Sequence, residues 1–177
     1  MTSVLRLCLD LNIWCAALLA DLKGRQGTSC QCLVEIAQQG LCTLCPVQLV
    51  ISWGMINRLR LVLERNLNVP HSAADLYIDA IRGYAELGPV GAGVQLTLGG
   101  TGVIALSDSE DAHVLETALA GWASVLVTAN FKDFISNDTR LVVPQRHAIY
   151  TAPANVLHIA HPFEMMKWLQ DGQIPGS

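Results

Sequence analysis

Ser107-Asp108-Ser-Glu110-Asp111-Ala-His-Val-Leu-Glu-Thr-Ala-Leu-Ala-Gly121-Trp-Ala-Ser-Val125-Leu-Val-Thr128-Ala-Asn130-Phe-Lys-Asp133-Phe134 is the stretch on which the fold turns. It reads as an acid-rich loop, a short helix that Asp111 opens, an apolar strand, and a polar strand end carrying another acid. Asp133 lies just past the carboxyl end of the strand Val125–Thr128, the edge of an open α/β sheet on which sites are built. A third carboxylate, Asp10, ends a second apolar strand, Val4-Leu-Arg-Leu-Cys-Leu-Asp10, with Asn12 beside it. Acids gathered from separate strand ends, with few cations near them in sequence, point to a divalent-cation site. A hard ion such as Mg²⁺ or Mn²⁺ takes oxygen ligands, and a few carboxylates with water satisfy it.

The remaining chain supplies alternating helices and strands. Asn12–Leu22 reads as a helix after the first strand. Thr28 or Ser29 caps a helix that runs to Gln39 and stops at Gly40. A second strand lies within Leu41–Ile51, with Pro46 at a bulge or at its start. Ser52 caps a helix from Trp53 to Asn66, and Ser72 opens another to about Leu87. The glycine-rich stretch Gly88–Gly102 is a connection with a strand-like piece at Val94–Leu98. Val103–Leu106 and Val125–Thr128 are further strands, and Arg140–Thr151 can add an extra strand pair. Val156–Ala160, Pro162 and Phe163–Leu169 make a last strand and a closing helix. Strands alternating with helices imply a parallel α/β sheet.

Length, composition and charge bound the function. With 177 residues, 51% hydrophobic and 15% charged, the chain is most economically one domain, residues 1–177. No run of eighteen apolar residues occurs, and no signal-peptide pattern opens it, so a soluble cytoplasmic protein without a membrane partner is expected. The formal charge of −4 argues against a broad sequence-independent nucleic-acid footprint. It does not exclude a nuclease, because acids gathered for a metal contribute to that total. Arg58, Arg60, Arg65 and Lys132, with Arg140 and Arg146, are scattered candidates for phosphate contacts.

Six cysteines fall within the first 45 residues. Cys30-x-Cys32 and Cys42-x-x-Cys45 could be combined into a four-thiolate zinc set. Positions i and i+2 of a helix diverge, as do residues three apart on a strand, so buried free thiols are the favoured reading. The five histidines form no motif. Ser52 has no nucleophile elbow around it, and no phosphate-cradling Gly-x-x-x-x-Gly-Lys loop is present.

Leu9-Asp10-Leu-Asn12-Ile resembles the opening of a PIN domain. Asp111-Ala-His-Val-Leu-Glu-Thr-Ala resembles that family's central acidic helix start. Val127-Thr128-Ala-Asn130-Phe-Lys-Asp133-Phe134 resembles its Thr-x-Asn-x-x-Asp-Phe element, seen in the branch that includes bacterial toxin nucleases. The resemblance covers roughly residues 4 to 169. It implies a three-layer α/β fold, a central parallel sheet flanked by helices, with an extended segment around 136–155. It implies a metal-dependent endoribonuclease using Mg²⁺ or Mn²⁺, similar to the toxin of a toxin–antitoxin pair, with RNA, an antitoxin protein and a second copy of the chain as partners.

In this reading Asp10, Asp111 and Asp133 are catalytic and hold metal. Asn12, Thr128 and Asn130 orient those carboxylates, Asp108 is either a fourth acid or a loop residue, and Arg58 contacts substrate phosphate. One departure matters. The family places a glutamate on the helix after the second strand, about six residues past a serine like Ser52. Asn57 and Arg58 stand there instead, and Glu64 lies roughly 9 Å further along at 1.5 Å per residue. A depleted site is therefore expected, holding at most one ion, and a weakened binding or regulatory module is the alternative function. Trp53, Met55, Leu61 and Trp122 are candidates for an association surface.

Overall fold

A computed structural model describes residues 3–97, 106 and 108–175. Its elements are β1 (Leu5–Leu9), α1 (Leu11–Leu22), α2 (Ser29–Gln39), β2 (Val47–Val50), α3 (Trp53–Arg65), α4 (His71–Glu86), α5 (Ser109–Ala120) and β3 (Val125–Val127). A 3-10 turn at Phe131–Phe134 follows, then β4 (Thr139–Val143), β5 (His147–Thr151), β6 (Val156–Ala160) and α6 (Pro162–Asp171). The strands form one sheet in the order β2-β1-β3-β6-β5-β4. Helices flank it on both sides, giving a three-layer α/β arrangement. No helix among the described residues is long and apolar enough to cross a membrane.

The apolar runs sit where their composition requires. β2 and β3 are buried at every position, as strands covered on both faces must be. β1, β2, β3 and β6 run parallel. The sheet is not wholly parallel: β5 runs antiparallel to β6, and β4 antiparallel to β5. This hairpin is the extra strand pair expected within residues 136–155. The expected strand Val103–Leu106 falls on residues 103–105, outside those described. In the glycine-rich connection Gln95 makes a parallel bridge to Ser52.

Cap chemistry sets most helix ends. Thr28 and Gln31 close α2 with a reciprocal capping box, and Gly40 leaves it in the left-handed conformation at φ 63°. Ser52 Oγ accepts from Met55 N at the start of α3. Ser72 does not open α4: the helix begins one residue earlier, after Pro70, with no side-chain cap. Gln48, fully buried in β2, donates to the carbonyls of Leu49 and Ala85 and accepts from Val90 N. It thereby ties the end of α4 to the sheet at little desolvation cost. Of the four side chains expected at a surface, Met55 is fully buried, while Trp53 and Trp122 are 41% and 55% exposed.

The hairpin is fastened by an aromatic cluster. His147 Nε2 lies 2.9 Å from His158 Nδ1 across the β5–β6 pair, and Trp168 of α6 meets His147 edge-on. Burial pushes His147 down to about 4, helped by His158 and Arg140, and lowers His158 in the same direction. A folded-state value below the ordinary one of about 6.5 means that the unfolded chain takes up protons first. Stability from the neutral pair is full above about pH 6.5 and is lost as the pH falls towards 4. Thermal melts should therefore show a fall in melting temperature from about pH 7 to 5 that is smaller in His147→Phe. Equal falls in both proteins would remove the histidine pair as the cause.

Candidate active site

The carboxyl ends of the parallel strands bring one residue each to a common edge. Asp10 follows β1, Thr128 follows β3 and His161 follows β6, while Ser52 lies one residue beyond Ile51 after β2. Backbone bonds hold that edge in register: Asp10 N donates to Val127 O, and Thr128 N donates to Ala160 O, both at 3.0 Å.

Asp10 is 5% exposed and is the N-cap of α1. Its Oδ1 accepts from Leu11 N at 2.6 Å, and its Oδ2 accepts from Asn12 Nδ2 and Thr128 Oγ1, both at 2.7 Å. Asn12 Oδ1 in turn accepts from Ala129 N, and Thr128 Oγ1 accepts from Asn130 N. Asn12 and Thr128 thus hold the carboxylate in place. Asn130 acts through its backbone, and its side chain borders the same cleft. Burial pushes the Asp10 carboxyl above its usual range, outweighing the three hydrogen bonds that pull it down, and Asp133 raises it further.

Asp111 occupies the first turn of α5, but it does not cap the helix. Asp108 does, accepting from Glu110 N at 2.7 Å. Asp108 is exposed and caps the start of α5. Desolvation pushes Asp111 up to about 6, with Asp10, Asp108, Asp133 and Glu110 all raising it. Asp10, Asp111 and Glu110 border one cleft of about 300 Å³ with Asn12 and Asn130. Asp133, on the 3-10 turn, does not border that cleft, although its charge reaches both Asp10 and Asp111.

Among the described residues no three His, Cys, Asp or Glu side chains close round a point as a preformed metal cage. The donors present nevertheless fit one hard divalent ion. Mg²⁺ keeps several waters and is held by one or two carboxylates plus substrate phosphate. Burial, with the charge of neighbouring acids, raises both Asp10 and Asp111, and a bound cation relieves both causes.

Glu110 is the acid that motif reading did not single out. Its carboxylate pairs with Arg58 at 2.6 Å, with both side chains about half exposed. The pair separates the acid cleft from a neighbouring cavity of about 360 Å³ that His113 and Ser109 also border. Arg58 borders the neighbouring cavity and is engaged by an acid of this chain. Asn57 is exposed, and Glu64 is bound by His71 at 2.6 Å. Ser52 Oγ lies 3.2 Å from His113 Nε2, yet it is fully buried and also accepts from Thr117 Oγ1 and Met55 N. That pairing is a helix cap, not a nucleophile with its base.

The thiols remain free. Cys42 and Cys45 are buried with their sulfurs 3.8 Å apart. Cys30 and Cys32 lie on α2, and no four-thiolate zinc set exists among the described residues.

Comparison with known families gives one match: a model described as a PIN domain matches residues 6–132. That span covers most of the chain and includes Asp10, Asp111 and Thr128, so the chain belongs to the PIN domain family. Asp133 is the first residue beyond it. Neither curated proteins nor solved structures gave a match. PIN domains are generally nucleases, and they typically use divalent metal ions.

Two outcomes test the electrostatics. Because the Asp111 carboxyl is raised, its stabilising contribution exists below its unfolded value and is lost as the pH rises through about 6. Asp111→Asn should then raise the melting temperature of metal-free protein at neutral pH by a few degrees and abolish stabilisation by Mn²⁺. A lower metal-free melting temperature would show that the charge is compensated. The Arg58–Glu110 pair is exposed enough to contribute little to stability. Arg58→Gln should leave the fold intact, free Glu110, and tighten Mn²⁺ binding severalfold by calorimetry. Unchanged affinity would exclude Glu110 from the ion's surroundings.

Proposed function

We propose that this PIN-family chain is a metal-dependent endoribonuclease that hydrolyses RNA phosphodiesters, similar to the toxin of a toxin–antitoxin pair. One observation carries the reading: a buried carboxylate, Asp10, is held by three donors in a cleft shared with Asp111, whose carboxyl is raised. Asp10 and Asp111 would hold one Mg²⁺ or Mn²⁺, with Asp133 acting through its field or through water. When bound, the ion supplies charge stabilisation at phosphate oxygens and a more acidic water. Asn12 and Thr128 fix the Asp10 oxygens, which removes the need to reorganise them during reaction.

Internal cleavage suits the surroundings. The acid cleft shares Glu110 with one neighbouring cavity and Asn130 with another, so a strand can continue on both sides of the acids. The choice of RNA rests on the family resemblance. So do the partners: an antitoxin protein and a two-fold homodimer, for which exposed Trp53 and Trp122 offer apolar surface. A cytoplasmic setting is proposed on the same basis.

A second reading, a catalytically weakened binding or regulatory module, is favoured by one observation. Arg58, a cation, stands where the family carries a carboxylate, and its pairing with Glu110 lowers the negative charge available to an ion.

Cleavage of single-stranded RNA in Mn²⁺, with and without chelator, separates the readings. The nuclease should cut in a chelator-sensitive way, and Asp111→Asn should abolish cutting. Thr128→Val should lower it by roughly 10- to 100-fold, the usual effect of removing a group that orients a ligand. Stable RNA binding without cutting at any divalent-ion concentration would establish the binding module instead.

A further inference from the structure

The acid cleft continues away from Arg58 into two cavities whose polarity is reversed. The first, of about 340 Å³, meets the acid cleft at Asn130 and is bordered by Lys132 and His161. The second, of about 480 Å³, meets the first at Ala129 and His161 and is bordered by Lys23, Arg25 and Phe163. Among the described residues, no aspartate or glutamate borders either cavity. Lys23, Arg25 and Lys132 are exposed and form no ion pair among the described residues, in contrast to Arg58, Arg60 and Arg82. In a chain of net charge −4, three uncommitted cations beside contiguous cavities are a local charge of the opposite sign.

Aromatic surface lies on the same path. Phe163 is 60% exposed and should be costly to leave in water, yet it packs against His161 with ring centroids 4.9 Å apart. His161 caps α6 by accepting from Phe163 N on Nδ1, which fixes its neutral ring as an Nε2–H donor. The His161 N–H bonds to Arg146 O, which anchors this corner to the turn between β4 and β5. Exposed ring faces beside a cationic groove are the two ingredients by which proteins hold unpaired nucleic acid without reading its sequence.

We infer that single-stranded RNA runs from the acid cleft along the carboxyl edge of β3 and β6, past Lys132 and His161, and stacks a base on Phe163 between Lys23 and Arg25. The inference rests on the nuclease reading for the identity of the strand, and it names the surface that substrate occupies beyond the reacting phosphate. Charge complementarity decides the occupant. Acids that need a cation hold the reacting phosphate, and uncommitted cations with an open aromatic face hold the flanking nucleotides. A duplex is disfavoured, because its bases are already stacked and offer Phe163 no free face.

Fluorescence anisotropy with a labelled oligouridylate of about twelve nucleotides, in chelator so that cutting is silent, tests the track. Phe163→Ala should weaken binding about tenfold, within the range known for one base stacked on an aromatic ring. The double variant Lys23→Gln with Arg25→Gln should flatten the slope of log affinity against log salt by about 1.4, from two lost phosphate contacts on a single strand. Lys167→Gln, exposed on α6 but bordering neither cavity, should change neither. Melting curves check folding, and the double variant decides if Phe163→Ala is unstable.

Wild-type affinity and salt slope in both variants would overturn the track, as would tighter binding of duplex RNA. Added Mn²⁺ separates the two readings. A chain that cuts RNA at the wild-type rate with both variants loses the track and keeps the nuclease. A chain that binds through Phe163, Lys23 and Arg25 but never cuts keeps the track and loses the nuclease.

Discussion

Asp10 is a carboxylate buried at the seam between a strand and a helix, and much else is arranged around that fact. Taking an ionised carboxyl out of water costs several kcal/mol unless donors replace the lost hydration. Here the donors come from three directions: the first amide of α1, the side chain of Asn12, and Thr128 from the neighbouring strand end. One acid therefore starts a helix, sets the register of β1 against β3, and fixes the loop at Ala129 through Asn12. Its proton affinity remains raised despite these bonds. The fold supplies orientation in full and charge compensation only in part, which leaves a site that gains from a cation.

The parts of this arrangement that the sequence discloses are those governed by local rules. Thr28, Ser52 and Gly40 mark helix ends because capping depends on a few adjacent atoms. Val125-Leu-Val followed by Thr128 discloses a buried strand and its polar end for the same reason. Asp10, Asn12 and Thr128 are legible together because a strand end must place them at one edge. Asp108 and Asp111 were harder, since Ser-Asp-Ser-Glu-Asp offers several caps and only three-dimensional placement chooses Asp108. The parallel sheet was read correctly from β1, β2 and β3. The reversal at β5 follows from two short connections, residues 144–146 and 152–155, which can join only antiparallel neighbours.

Glu110 and His161 show a different limit. Glu110 gains its importance from Arg58, fifty-two positions earlier, and from a shared cleft, neither of which has a sequence signature. His161 looked like a turn residue, and in sequence it is one. Only the order of strands reveals that β6 lies next to β3, so that His161 ends up one strand from Thr128. Arg58 on α3, with Glu110 opposite it, forms an ion pair at the rim. The ion pair holds that side of the cleft near neutrality, so the acids and the uncommitted cations are concentrated further along the edge.

The β4–β5 hairpin has a consequence for association. Without it, β6 would carry an open row of backbone groups directly beside His161. With it, that edge of the described sheet is carried two strands outwards, about 10 Å at the usual strand spacing. The exposed Leu141 and Val142 of β4 would suit pairing with a foreign strand, but the ladder slips between Leu141 and Val143. An irregular, twisted border is a poor template for another chain. The hairpin thus works as a bumper: strand addition is discouraged at the margin, and the working edge of the sheet keeps its opening to solvent.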